Sequence, residues 1–268
     1  MPREKVLITV KTYPTISKSY DELVCTAGLK EDGSFVRIYP IPFRKLDYDR
    51  RYKKYEWIEL ELTKNAADFR PESYKPVDID KITNLEFLDT DKGTWERRKE
   101  LCLKKVYYDM KELISLAKNK ETCTSLAVFK PARIIDFIIE EDEREWKKED
   151  ELRINRDQLD LFHDIGKFEI VKKLPYRFLY RFTDIRGRES TMTVSDWEVG
   201  QLYWNCLEKH GDEQKACRDV KKKYHDLFMK KDIYFFLGTT KARHFRSRNP
   251  FMIIGVFYPR VDDQLKLF

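Results

Sequence analysis

Apolar and polar residues alternate along the first third of the chain in a way that predicts short strands. Residues 6–10 and 23–29 are runs of apolar and β-branched side chains, and residues 35–39 and 57–62 alternate between apolar and polar positions. Residues 31–34, Glu-Asp-Gly-Ser, contain a glycine where a tight turn needs a positive φ. We therefore expect a hairpin there, and a small β-barrel within roughly the first 90 residues.

The hydrophobic period changes to three or four residues between positions 96 and 118. This spacing places apolar side chains on one face of a helix. The segment thus predicts one amphipathic helix, whose apolar face carries Leu103, Val106, Tyr107, Met110, Leu113, Ile114 and Ala117.

The second half of the chain predicts strands on either side of two helices. Strand character is found at residues 170–182, 190–194, 233–237 and 252–258. The helices between them carry clear boundary signals. Ser195 and Glu198 have the spacing of a capping box, Gly211 is typical of a helix end, and a second helix is expected from Asp212.

A charged run, EEDEREWKKEDELRINRD, occupies residues 140–157 and predicts a solvated helix or linker. It marks the expected boundary between a β-rich, barrel-like domain at residues 1–139 and an α+β domain at residues 158–268. The predicted fold class is α+β, with a small N-terminal β-barrel of OB-like type followed by a mixed sheet with helices.

Composition adds limits to this picture. The chain has 268 residues, of which 41% are apolar and 37% charged, with a net charge of +6. This balance is typical of a globular protein and permits contact with nucleic acid without demanding it. The five cysteines include no CxxC pair, and the sequence shows neither a signal peptide nor a membrane-spanning run. We expect a cytoplasmic protein that does not contact membranes.

Catalytic motifs are weak. His163-Asp164 resembles the metal-binding dyad of HD-type phosphohydrolases, but no histidine precedes it and the alternating residues after it disfavour a helical bundle. It is interpreted as a turn before a strand. No nucleotide-binding glycine motif or GxSxG is present, and Cys25 lies mid-strand among apolar neighbours, as a structural thiol does. Asp196 and Glu198 flank Trp197, but helix capping explains Glu198. We expect no cofactor and no metal site, and the chain is more typical of a binding protein than of an enzyme.

Two basic segments predict a binding surface. Residues 37–54 carry seven Lys or Arg against two Asp, interleaved with aromatic residues, and residues 241–248 carry four Lys or Arg and no acid. Basic side chains pair with phosphates, and aromatic rings stack on bases. Solvated turns with aromatic residues in the core remain the alternative. The candidate nucleic-acid-binding residues are Arg37, Tyr39, Arg44, Arg243, His244, Phe245, Arg246 and Arg248.

The opening of the chain resembles a known class of modules. VLITVKTYP, then Cys25-Thr26-Ala27-Gly28, then GSFVRIYPIPFR follow the order seen at the start of OB-like modules in dual-OB-containing proteins of bacterial defence and mobile-element neighbourhoods. The resemblance covers roughly the first 45 residues. Arg37-Ile38-Tyr39-Pro40 replaces the direct Arg-Pro of those modules. The resemblance implies a barrel that recognises nucleic acid or nucleotides.

Together these observations predict a nucleic-acid-binding protein, an accessory or sensor component of a bacterial defence system. Two alternatives stay open. A metal-dependent nuclease or nucleotide-processing enzyme would draw its carboxylates from the 47 acidic residues. A protein-interaction subunit would dock through residues 135–164, which hold twelve acids against five bases. The sequence does not distinguish DNA from RNA.

Overall fold

The computed structural model describes residues 3–17, 20–147 and 171–261. Its N-terminal part is a closed five-stranded barrel. The barrel strands are β1 (Arg3–Lys11), β3 (Tyr20–Leu29), β4 (Phe35–Ile41), β5 (Glu56–Lys64) and β6 (Ser73–Pro76). Two short strands extend the sheet: β2 (Thr15–Ser17) pairs with β3, and β7 (Thr83–Phe87) pairs with β5. The order is β1-β3-β4-β6-β5, and the barrel closes because β5 also pairs with β1. The strands β4 and β6 run parallel. This topology is consistent with an OB-like small barrel.

The alternation seen in the sequence separates the two faces of the barrel wall. Val6, Ile8, Val36 and Ile38 fill the barrel interior, as expected for side chains that point to opposite faces at successive positions. On the opposite face, Leu7, Val10, Ala27 and Leu29 form a second core with the C-terminal part of the chain. Both faces of this wall are therefore buried.

The C-terminal part contains two further sheets and four helices within the described residues. A four-stranded sheet has the order β14-β13-β9-β8, and a three-stranded sheet has the order β10-β11-β12. The strands are β8 (Val106–Tyr107), β9 (Leu126–Phe129), β10 (Arg133–Glu141), β11 (Tyr176–Thr183), β12 (Glu189–Thr193), β13 (Tyr234–Thr239) and β14 (Phe251–Phe257). The helices are α1 (Glu96–Cys102), α2 (Met110–Lys118), α3 (Trp197–His210) and α4 (Glu213–Lys221).

The predicted single helix at residues 96–118 is wrong. The structure has α1 and α2 there, separated by β8, which pairs with β9 in the four-stranded sheet. Asp109 begins α2 because its side chain accepts hydrogen bonds from the backbone N–H groups of Lys111 and Glu112. Val106 and Tyr107 therefore belong to a strand and not to the apolar face of a helix.

The predicted capping box at Ser195 is also wrong. Asp196 is the N-cap of α3, and its carboxylate accepts from the backbone N–H of Glu198. The side chain of Glu198 instead pairs with Lys54 of the barrel. The C-terminal signal is confirmed, since Gly211 ends α3 with a φ of 61°.

The described residues between 107 and 137 share one hydrophobic core with residues 178–256. The charged run at 140–157 begins at the end of β10, and most of it lies outside the described residues, so the predicted domain boundary stays a prediction. The hairpin expected at residues 31–34 is confirmed by the antiparallel pairing of β3 with β4 and by the positive φ of Gly33. Among the described residues, no helix is long and apolar enough to cross a membrane.

Candidate nucleic-acid interface

A basic loop, residues 240–250, connects β13 to β14. Lys241, Arg243, Arg246 and Arg248 of this loop are exposed. Within the described residues, none of the four makes an ion pair. Four neighbouring cations repel one another, so this loop attracts anions from solution.

The loop is held in place by His244, whose side chain is fully buried. Its Nε2 donates a hydrogen bond to the carbonyl oxygen of Ala117 at 2.7 Å, which fixes the proton on that nitrogen. Its Nδ1 then accepts from the hydroxyl of Thr239 at 2.8 Å. Lys118 adds hydrogen bonds from its ammonium to the carbonyl oxygens of His244 and Ser247. Burial lowers the pKa of His244, so the ring is neutral at pH 7. His244 is therefore an internal anchor, and the expectation that it contacts nucleic acid is corrected.

Cys123 lies beside this histidine, with its Sγ 3.5 Å from Nε2. A nucleophilic pair needs a histidine nitrogen that is free to accept the thiol proton. Here Nε2 already carries a proton and donates it to Ala117. Burial also raises the pKa of the Cys123 thiol. The arrangement is thus a packing contact without the protonation pattern of a catalytic dyad.

An exposed aromatic pair stands next to the basic loop. The rings of Phe69 and Phe245 stack with their centroids 5.0 Å apart and their planes inclined by 26°. Their side chains are 47% and 43% exposed, respectively. Phe69 lies between β5 and β6 of the barrel, so the two rings come from opposite parts of the chain. The buried ring of His244 makes an edge contact with each of the two phenyl rings.

Buried polar residues fix the segment that presents Phe69. The carboxylate of Asp68 accepts from Nε of Arg70 at 2.8 Å and from the hydroxyl of Ser73 at 2.8 Å. Arg70 also donates to the carbonyl oxygen of Thr239, the last residue of β13. The barrel loop and the basic loop are therefore joined at their bases.

Arg37 does not belong to the exposed surface. Only 2% of the residue is exposed, and its guanidinium donates to the carbonyl oxygens of Thr239 and Ser125 and to the hydroxyl of Ser125. The alternation in β4 points Arg37 away from the barrel interior, as the sequence indicated, but the four-stranded sheet covers that face. Arg37 thus connects the barrel to the sheet, and its predicted contact with a phosphate is corrected.

The remaining predicted residues lie on both parts of the chain. Tyr39 and Arg44 are half-buried on the barrel, at the end of β4 and in the turn that follows. The carbonyl oxygen of Tyr39 accepts from the side chain of Asn65, which places its backbone at the start of the segment that carries Phe69. Arg243, Phe245, Arg246 and Arg248 share the basic loop. Phe69 was missed because a lone phenylalanine between strands carries no local pattern.

A second charged cluster joins the barrel to α3. The ammonium of Lys54 lies 3.0 Å from Asp196 and 3.1 Å from Glu198. Lys54 and Asp196 are almost fully buried. Burial opposes the charge on Lys54, but the two carboxylates outweigh it and raise the pKa of Lys54 well above its usual value. Lys54, part of the basic segment at residues 37–54, therefore serves the interior and not the surface.

Lys11 lies beside this cluster in an aromatic surround. Its ammonium is 4.4 Å from the ring centroid of Phe43 and 5.8 Å from that of Trp197, and it donates to the carbonyl oxygen of Tyr52 at 3.1 Å. Burial and the neighbouring Lys54 lower the pKa of Lys11 to about 8. The negative charges of Asp196 and Glu198 thus face the positive charges of both Lys11 and Lys54.

The acidic segment at residues 135–164 is only partly described. In the described part, Asp136 pairs with Lys221, Glu140 with Arg177 and Glu143 with Lys173. His163-Asp164 lies outside the described residues. Among the residues that are described, no group of three His, Cys, Asp or Glu side chains is placed to hold a metal ion.

Family models match both halves of the chain. Residues 2–104 match "Domain of unknown function (DUF8758)", and residues 106–268 match "Domain of unknown function (DUF8757)". No curated protein matches the chain. A solved structure titled "Structure of murine DNA binding protein bound with ds DNA" is 10% identical over 98% of each chain, with a TM-score of 0.31, which is too low to support an inference. Because the second model covers more than half of the residues, the chain belongs to the DUF8757 family.

Proposed function

We propose that this protein binds nucleic acid through the basic loop, with Lys241, Arg243, Arg246 and Arg248 contacting phosphates. The observation that carries the proposal is the exposure of four neighbouring cations, none of which is paired within the described residues. A polyanion relieves their mutual repulsion and releases counterions when it binds.

The anchoring of the loop favours binding over a solvated turn. His244 and Lys118 hold the loop backbone from inside through hydrogen bonds to Ala117, Thr239 and Ser247. The exposed arginines therefore project from a fixed backbone, and less entropy is lost when they meet a ligand. A loop on a rigid scaffold is the usual place for binding residues.

The position of the loop on the barrel gives further support. Phe69, which contacts the basic loop, lies between the fourth and fifth barrel strands in chain order. In OB-folds, the loop at that position is among those that bind oligonucleotides. The proposal does not depend on a role in bacterial defence. That role is supported only by the resemblance of roughly the first 45 residues.

The test compares two variants that lose the same charge. The first carries Arg243→Ala, Arg246→Ala and Arg248→Ala in the basic loop. The matched control carries Lys215→Ala, Arg218→Ala and Lys222→Ala, which remove three exposed cations from the region of α4. Alanine preserves helical structure at those positions.

Binding of labelled DNA and RNA is measured by fluorescence anisotropy at low salt, and a gel with added magnesium reports cleavage. We expect the loop variant to lose most of its affinity and the control variant to retain it. Equal binding by both variants would show that net charge, and not the loop, holds the nucleic acid. Magnesium-dependent cleavage would favour the nuclease alternative.

A further inference from the structure

We propose that the surface formed by Phe69, Phe245 and the basic loop takes single-stranded nucleic acid, with an unpaired base stacked on the exposed phenyl rings. The inference rests on the proposed function, because it names the strand type that the same surface binds.

The aromatic pair is exposed in a way that packing alone does not require. Phe69 and Phe245 are 47% and 43% exposed, although their rings already stack on one another at a centroid distance of 5.0 Å. Exposed aromatic patches beside polar residues mark interaction sites. The neighbouring cations indicate that the ligand is an anion, and a nucleobase offers the flat face that a phenyl ring stacks against.

Both rings are fixed before a ligand arrives. Phe69 is flanked in sequence by Asp68 and Arg70, which are buried and joined by an ion pair. Phe245 follows His244, which is buried and hydrogen-bonded at both ring nitrogens. In each segment, buried polar residues hold the backbone and leave the phenyl ring outside. We call the two rings of Phe69 and Phe245 the stacking platform. Because this platform is ordered before binding, it loses little conformational entropy when a ligand binds.

The chemistry of the platform discriminates between paired and unpaired bases. A phenyl ring has no hydrogen-bonding group, so Phe69 and Phe245 cannot read the donors and acceptors at the edges of base pairs in a groove. In a duplex, each base face inside the helix is covered by its neighbours in the stack. The rings therefore add affinity only when a base is unpaired and its face is free.

The cations of the basic loop can bind both single strands and duplexes, whereas the phenyl rings can bind only single strands. Experiments can therefore test nucleic-acid binding and base stacking separately. Arg243, Arg246 and Arg248 contact the phosphate backbone of either a duplex or a single strand. Loss of these arginines weakens all binding. Loss of the rings weakens the binding of single strands and leaves duplex affinity unchanged.

The experiment uses the full chain and four probes: a DNA strand, its RNA counterpart, and each strand annealed to its complement. The variants are Phe245→Leu and Phe69→Leu, which keep apolar bulk but remove the flat ring. Phe87→Leu is the matched control, because Phe87 is 45% exposed on β7. Phe245→Trp is the rescue variant. A probe with a single 2-aminopurine reports base stacking through the quenching of its fluorescence.

We expect the wild-type protein to prefer a single strand to its duplex and to quench 2-aminopurine. Each platform variant should weaken single-strand binding by about 5- to 150-fold, the range for loss of one stacking ring. Phe87→Leu should leave affinity and quenching unchanged. Phe245→Trp, which keeps a flat ring at this position, should retain the single-strand binding and quenching that Phe245→Leu loses.

Two results would overturn the inference in different ways. Equal affinity for single strand and duplex, unaffected by the phenylalanine variants but abolished by Arg243→Ala, Arg246→Ala and Arg248→Ala together, would leave the proposed function standing and remove the stacking platform. An absence of binding to all four probes at low salt would refute both, and would direct attention to an acidic protein as the partner of the basic loop.

Discussion

Replacement of Lys54 by methionine tests whether the buried charge cluster joins the barrel to the rest of the protein. Lys54 follows the turns after β4, and Asp196 is the N-cap of α3. Methionine keeps the length of the side chain but removes the cation. Within the part of the chain that the structure describes, the buried carboxylate of Asp196 would then retain only weak hydrogen bonds, from the backbone N–H groups of Glu198 and Val256.

The expected loss is large because one partner of a buried pair is removed. Such changes cost about 3–5 kcal/mol, since the remaining charge stays desolvated. For a chain of this size, that corresponds to a fall of roughly 6–10 °C in the melting temperature. The exposed pair between Lys81 and Asp78 provides a control, and Lys81→Met should cost less than about 1 kcal/mol.

The pH dependence gives this prediction a second signature. Burial raises the pKa of Asp196, and loss of Lys54 raises it further. A carboxyl whose folded pKa lies above its unfolded pKa destabilises the protein when ionised, and the penalty is relieved as the pH falls through the folded pKa. The difference between Lys54→Met and wild type should therefore shrink from pH 7 towards pH 4.

Urea unfolding followed by circular dichroism measures these differences. Adding Asp196→Asn to Lys54→Met should recover more than half of the loss, because asparagine is neutral and still caps a helix. A loss for Lys54→Met no greater than that for Lys81→Met, at every pH, would refute the reasoning.

Three further variants test other parts of the structure. For Lys11→Met, the stability of wild type relative to the variant should rise by up to roughly 1.4 kcal/mol per pH unit between the folded pKa of about 8 and the ordinary 10.5. A difference in urea unfolding that does not change over this pH range would contradict this. Gly28→Ala should cost about 3 kcal/mol, since a Cβ there would lie 2.3 Å from the carbonyl oxygen of Leu7; thermal unfolding unchanged from wild type would show that the strands adjust freely. His244→Ala should cost about 2–3 kcal/mol by leaving buried hydrogen-bonding groups unpaired, and hydrogen exchange should accelerate in the basic loop first; uniform exchange would argue against an anchoring role.

Sequence motifs of a few residues correctly predicted the parts of the fold that depend only on residues close together in the sequence. The turn at residues 31–34 and the helix end at Gly211 need only a glycine at a positive φ, and both are found. The helix predicted at residues 96–118 failed because Val106 and Tyr107 pair with β9, which is distant in sequence. Asp109, followed by Glu112, was a local signal for a new helix start that the apolar spacing obscured.

The candidate surface was only partly visible in the sequence. The purity of the positive charge in residues 241–248 marked the basic loop correctly as an exposed segment. The roles of Arg37, Lys54 and His244 were not visible, because each is set by groups far away in the chain. The contact between Phe69 and Phe245 spans most of the chain, and neither position has a local pattern that indicates it.

The most direct test of nucleic-acid binding is the salt dependence of affinity for a single-stranded oligonucleotide. Four phosphate contacts predict a slope of about −2.8 in a plot of log K against log salt, and one remaining contact predicts about −0.7. Wild type should therefore lose about 50-fold in affinity between 50 and 200 mM salt, and the variant with Arg243→Ala, Arg246→Ala and Arg248→Ala about 3-fold. The central claim predicts a difference of about 2 between the two slopes. Equal slopes, or affinity that does not change with salt, would contradict it.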